Sequence, residues 1–155
     1  LPKEFILLYT FDNDSKTIAI AHRIARELSL PIVSLFKVKT KLPIQYTLAD
    51  LGPAEFLDVL DKCRFVVSNS FHGTAFAINF QKDFYSVYKP SNPHRVLNLV
   101  KKLSLENRVI NSIQDLPQVS KWGIDYSIPM AALQKERTSA DNFLTFQYDG
   151  DLQQA

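Results

Sequence analysis

The apolar positions of this chain fall into short continuous runs separated by helical stripes. Phe5-Ile-Leu-Leu-Tyr-Thr-Phe11 is the first run, with the length of a strand buried on both faces. Asp12-Asn-Asp-Ser15 follows, with turn and N-cap chemistry. Ile18, Ala21, Ala25 and Leu28 then share one helical face and leave Arg23, Arg26 and Glu27 to solvent. Pro31 stops that helix, and residues 32–36 predict a second buried strand. Residues 37–51 carry no regular pattern and predict a connecting loop. Gly52-Pro53 opens a second helix, with proline at an early position and Phe56, Leu60 and Cys63 as its stripe. The pattern predicts a third strand over 64–68, a helix over 72–81 and a fourth strand over 84–88. A fourth helix covers 93–103, with Val96, Val100 and Leu103 in register. A short fifth strand over 108–110, a loop over 116–125 and a last helix from 130 to about 146 complete the chain.

The alternation of strand and helix predicts the α/β class: a Rossmann-like parallel sheet with helices on both faces. The length of 155 residues fits one domain, 1–155. In such sheets ligands bind beyond the C-terminal ends of the strands. Three segments fall there: 12–15, 37–52 and 69–73.

Composition narrows the function classes. An apolar fraction of 46% is enough for a real core and describes a soluble globular chain. The net charge of +2, with no basic run interleaved with aromatics, gives no reason to expect nucleic acid. Cys63 is the only cysteine, so no internal disulfide forms, and a small buried apolar role outweighs a nucleophilic one. No apolar stretch reaches the ~20 residues of a membrane span, and no signal peptide is present. The chain starts Leu1-Pro2 without methionine, the expectation being a piece of a longer protein.

Ser68-Asn-Ser-Phe-His-Gly-Thr74 stands out chemically. A buried strand ends there in small polar residues, and the next helix begins. First-turn backbone N–H groups and the helix dipole favour an anion. Gly73 would let a ligand approach the backbone closely, Ser70 and Thr74 would add hydroxyls, and His72 would move a proton near neutral pH. The same spacing also fits Ser70 as a plain N-cap and His72 as an ordinary first-turn residue. Neither a Walker-type loop nor Gly-x-Gly-x-x-Gly occurs. No His-x-x-x-His and no paired Cys suggest a metal site. His22 and His94 lack the neighbours of a ligand site. Asp58 and Asp61 read as solvated carboxylates, and Trp122 and Tyr126 as core anchors of a late loop rather than a sugar platform.

The stretch Arg64-Phe-Val-Val-Ser-Asn-Ser-Phe-His-Gly-Thr-Ala-Phe-Ala-Ile78, followed by Lys82-Asp-Phe84, resembles the signature of the polysaccharide pyruvyl transferase family. Gly52-Pro-Ala-Glu-Phe-Leu57 upstream is similar to the family's helix start. Arg95, the segment 103–108, and Arg137 with Phe143-Leu144 resemble its later segments. Ser70 stands where some members carry Arg, and Asp83 where many carry Pro.

The resemblance implies one half of a GT-B-type two-domain enzyme, this chain being the C-terminal, donor-binding half that works with an N-terminal domain. It implies transfer of pyruvate from phosphoenolpyruvate to two sugar hydroxyls as a ketal, in cell-surface polysaccharide synthesis, with no cofactor beyond the donor substrate. The acceptor would be a saccharide or lipid-linked saccharide, and the place the cytoplasm or the inner face of the membrane. His72 would be the general acid/base or a phosphate ligand. Asn69, Ser70, Gly73 and Thr74 would bind the phosphate or carboxylate. Arg95 and Lys89 would be further anion ligands, against plain surface cations. Asn13, with Asp12, would meet the acceptor, against simple turn formation, and Gly52 would bring a second helix N-terminus, against simple helix initiation. Two other readings stay open: a glycosyltransferase domain using a nucleotide sugar, and a non-catalytic domain that binds a partner or a carbohydrate.

Overall fold

The computed structural model describes residues 1–91 and 93–152. Ile6–Tyr9 (β1), all four residues buried, runs through the middle of the sheet. It pairs in parallel with Ile32–Ser34 (β2) on one side and Phe65–Ser68 (β4) on the other. Tyr46–Thr47 (β3) extends the sheet beyond β2, and Asp83–Val87 (β5) and Val109–Ile110 (β6) extend it beyond β4. The order is β3-β2-β1-β4-β5-β6, with every pairing parallel. Among the described residues, five α-helices connect and cover it: Ser15–Leu28 (α1), Pro53–Lys62 (α2), Phe71–Asn79 (α3), Pro93–Lys102 (α4) and Ser127–Leu152 (α5). This is the α/β Rossmann-like fold that the alternation predicts.

The apolar runs are continuous because β1, β2, β4 and most of β5 are buried on both faces. Phe5, Leu7 and Tyr9 join Val59, Leu60, Ala77, Ile78 and Val100 from α2, α3 and α4 in one core. Ile6 and Leu8 point the other way, into a second core with Ile18, Ala21 and Ile24 of α1 and with Trp122. Local chemistry sets the helix ends. The Asp14 side chain caps α1 by accepting from the Thr17 amide at 3.0 Å. Ser29 closes that helix in the left-handed region at φ 54°, ahead of Pro31.

Two stretches differ from the sequence expectation. The predicted loop 37–51 contains β3, whose Tyr46 and Thr47 pair with Val33 and Ser34. Both β3 residues are exposed, so this edge strand has no apolar signature to read. The last helix begins at Ser127, ahead of the predicted 130, and runs to Leu152. Pro129 lies in its first turn, where the missing N–H removes no intrahelical bond.

The loop before that helix is anchored by a buried cation. Arg108, only 5% exposed, donates from Nη1 to the Trp122 carbonyl at 2.7 Å and from Nη2 to the Gly123 carbonyl at 2.8 Å. Trp122 and Tyr126 are buried core anchors, as expected, and Tyr126 donates its hydroxyl to the Lys82 carbonyl at 2.6 Å. Asp83 takes part too: it accepts the Ile124 amide at 2.9 Å and pairs with Arg64. Among the described residues no helix is long and apolar enough to cross a membrane.

Candidate functional site: a cationic cleft at the switch point of the sheet

In a sheet of order 3-2-1-4-5-6 the connections leave β1 and β4 on opposite faces, and a crevice opens between their C-terminal ends. Here β1 runs out through Phe11 and Asp12 towards α1, and β4 through Asn69 and Ser70 into α3. A cleft of 220 Å³ occupies that place. Asn69, Ser70 and His72 line it from the start of α3, and Lys89 and Arg95 from the segment after β5. Phe11 and Phe71 supply aromatic walls.

The start of α3 leaves backbone donors unpaired. By helix geometry the amides of Phe71, His72 and Gly73 have no intrahelical acceptor. Ser70 occupies the N-cap, yet its side chain makes no capping bond to them. The first helical bond runs from the Thr74 amide to the Ser70 carbonyl at 3.1 Å. His72 is exposed, its ring edge-on to Phe71 at 5.8 Å. The Arg95 guanidinium lies 4.1 Å above the Phe71 ring, a cation–π contact that fixes its direction without using its N–H donors. Among the described residues Arg95 forms no salt bridge, and the cleft lining contains no carboxylate. One arginine, one lysine, one histidine and a helix N-terminus thus face a common volume.

Asp12 stands beside this volume and organises its rim. Its Oδ1 accepts from Thr10 Oγ1 at 2.8 Å and from Asn69 Nδ2 at 2.9 Å, while Oδ2 pairs with the Lys89 ammonium. The Lys89 bond, then the Asn69 amide, hold this carboxyl well below the usual carboxylate range.

Not every residue of the motif reaches the cleft. Gly73 is buried against the sheet. A Cβ there would stand 2.2 Å from Ser68 Oγ, 2.8 Å from Ser68 Cβ and 2.9 Å from Tyr9 Cδ1. Its missing side chain serves close helix–strand packing, and any part it takes in holding a ligand falls to its backbone amide. Thr74 is 1% exposed, its hydroxyl shared between the Ser70 carbonyl at 3.0 Å and Ser86 Oγ at 2.9 Å. It therefore locks α3 to β5 and offers no hydroxyl to the cleft. Gly52 is the N-cap of α2 and lies outside the lining, with the Glu55 carboxylate folded over it. Asn13 accepts the Lys39 amide at 2.5 Å and lines a separate depression with Asp12, Lys16 and Lys89.

A sequence profile described as polysaccharide pyruvyl transferase matches residues 1–89, more than half of the 155. The chain belongs to the polysaccharide pyruvyl transferase family. That family is one of transferases, and the matched region carries β1, the whole Ser-Phe-His-Gly-Thr segment and Lys89. No curated protein matches the chain.

Sequence reasoning gave no role in the cleft to two aromatic residues that line it. Phe71 had none assigned, yet its ring carries the Arg95 guanidinium. Phe11 was read as the end of a buried strand, yet it is 63% exposed and packs at a tilt of 40° against Phe36, 4.3 Å between ring centres. An apolar residue immediately before a turn sequence was the available signal for Phe11. Nothing in the sequence marks Phe71, because its partner lies twenty-four positions on.

Proposed function

We propose that this cleft is the donor site of a pyruvyl transferase that takes phosphoenolpyruvate. The observation that carries the reading is the cationic, carboxylate-free lining at the α3 N-terminus in a chain of this family. Phosphoenolpyruvate carries a carboxylate and a phosphate. The α3 amides and Lys89 suit one, and the planar fork of Arg95 suits the other.

The reaction needs two proton transfers. C3 of the enol gains a proton and becomes the methyl group, and C2 becomes electrophilic. A sugar hydroxyl adds to C2, and a neighbouring hydroxyl forms the second C–O bond as the C2–O bond to phosphate breaks. The proton of one hydroxyl balances the one delivered to C3, and the proton of the other leaves with phosphate. His72 is the cleft's group suited to relay these protons, and the cations stabilise the departing phosphate. Phe11, packed at a tilt against Phe36, is an apolar face beside the cleft against which an acceptor ring can pack. In this reading the chain is the donor-binding half of a two-domain enzyme and meets the saccharide acceptor across from an N-terminal domain. Phosphoenolpyruvate is a cytosolic metabolite, which puts the reaction on the cytoplasmic side.

The test follows the imidazole NMR signals, assigned with His72→Ala, during titration with phosphoenolpyruvate and separately with a nucleotide sugar. A saturable His72 shift with phosphoenolpyruvate alone is expected. A shift only with the nucleotide sugar would move the assignment to glycosyl transfer. Silence to both from the protein joined to its N-terminal half would leave a binding module.

A further inference from the structure

The rim of the cleft contains an ion pair that a donor anion has to disturb. Lys89 lines the cleft and also the neighbouring depression that holds Asp12, so its ammonium stands at the border of the two. The two oxygens of Asp12 have separate tasks. Oδ1 is tied to Thr10, which is fully buried, and to the Asn69 amide, and Oδ2 to Lys89. The Lys89 and Asp12 side chains are 45% and 42% exposed. Exposed pairs of this kind are weak and salt-screened, and a lysine stem turns freely. Arg95, by contrast, is held on Phe71 with no carboxylate against it.

We propose that Asp12 is a positioning residue that holds Lys89 as an exchangeable counter-ion: an incoming phosphate or carboxylate takes the ammonium over from Oδ2, while Oδ1 keeps Asn69 in place at the rim. The proposal rests on the reading of this cleft as the donor site. Because Asp12 competes with the ligand for one cation, it weakens the binding of simple anions. A donor anion that meets Arg95 and the α3 amides as well as Lys89 makes up that loss with more contacts, so Asp12 also discriminates against ions that reach the rim alone.

The experiment titrates the chain with inorganic phosphate at low ionic strength and follows the His72 imidazole signals. Asp12→Asn is expected to tighten phosphate binding about threefold, the range of a released surface ion pair. In a Lys89→Met background most of that gain is expected to vanish. A purely structural role for Asp12 predicts the reverse, weaker phosphate binding whatever stands at position 89. Unchanged or weaker binding in a folded Asp12→Asn protein, or the same gain without Lys89, would overturn the exchange. A measurement without any substitution backs this up. Saturating phosphate should move the titration midpoint of the Asp12 carboxyl carbon upward, because its ammonium partner has left, and a fixed midpoint overturns the proposal. Absence of any saturable phosphate response from the protein joined to its N-terminal half would sink the donor-site reading and the exchange together. A response indifferent to Asp12 would sink the exchange alone.

Discussion

Replacing Gly73 by alanine is the sharpest test of how α3 is seated. Its backbone lies outside the positive-φ region, so alanine meets no conformational objection. In an open helix the change would stabilise by about 1 kcal/mol. Here the new methyl would stand 2.2 Å from Ser68 Oγ, 2.8 Å from Ser68 Cβ and 2.9 Å from the Tyr9 ring. Ordinary carbon contacts begin near ~3.5 Å. The Ser68 hydroxyl cannot swing away freely, since it donates to the Tyr9 carbonyl at 2.8 Å and accepts from the Ser70 amide at 3.0 Å. Overpacking costs about 1–3 kcal/mol, and a buried polar group left unpaired about 1–3 more. Less the helix gain, Gly73→Ala should destabilise by about 1–5 kcal/mol. For a chain of this size that lowers Tm by roughly 2–20 °C. Urea unfolding followed by circular dichroism reads the change. Adding Ser68→Gly, which removes both serine contacts, should recover part of the loss. A Gly73→Ala protein as stable as the native one would refute the close-packing argument and return Gly73 to the ligand.

Three further outcomes can be checked in the same samples. Arg108→Met leaves the Trp122 and Gly123 carbonyls without their donors; it should cost about 3 kcal/mol and red-shift the emission of Trp122, and an unshifted spectrum would count against the anchor. Burial pushes the Cys63 thiol up to about 12, so iodoacetamide at pH 8 should leave it unmodified until the chain unfolds, and rapid labelling of the native protein would contradict that. The Asp12 carboxyl, depressed by Lys89 and Asn69, contributes stability that is complete above the ordinary aspartate pKa and is lost only as pH falls through its lower folded value. Its carboxyl carbon should therefore titrate below the range of exposed aspartates, and a midpoint within that range would show that the Lys89 pair does not persist in solution.

The fold was legible where burial is two-sided. Runs such as 5–11 and 64–68 carry a strand signal that needs no context, and Pro31, Gly52 and Pro53 punctuate the chain where the helices stop and start. The edge strand at Tyr46–Thr47 was not legible, because its exposed residues are held by backbone pairing alone. At the site, residue types singled out 69–74, and the structure brings Asn69, Ser70 and His72 together with Lys89 and Arg95 in one cleft. The contribution of Phe71 was hidden, since a cation–π contact links residues whose spacing carries no pattern. Gly52 and Asn13 were given functional alternatives that depended on three-dimensional placement, and the structure puts both outside the cleft.

The division of labour inside Ser-Phe-His-Gly-Thr follows from the geometry of a helix that begins against a sheet. Gly73, Thr74, Ala77 and Ile78 are the buried residues of α3, so they form the face it turns inward. Gly73 allows the approach, and Thr74 fastens it through Ser86 on β5. With that face pressed onto the strands, the residue before the glycine is carried to the open end of the helix, and there His72 lines the cleft. Asn69 is fixed independently, from the neighbouring strand end, by Asp12. Two of the motif's five residues are therefore packing whose effect on chemistry is indirect: loosening Gly73 or Thr74 moves the imidazole and the free amides together. A substitution at His72 removes the imidazole proposed to relay protons and leaves the seat intact. The two kinds of loss separate in one comparison, stability against phosphate affinity, because only the packing residues should change both.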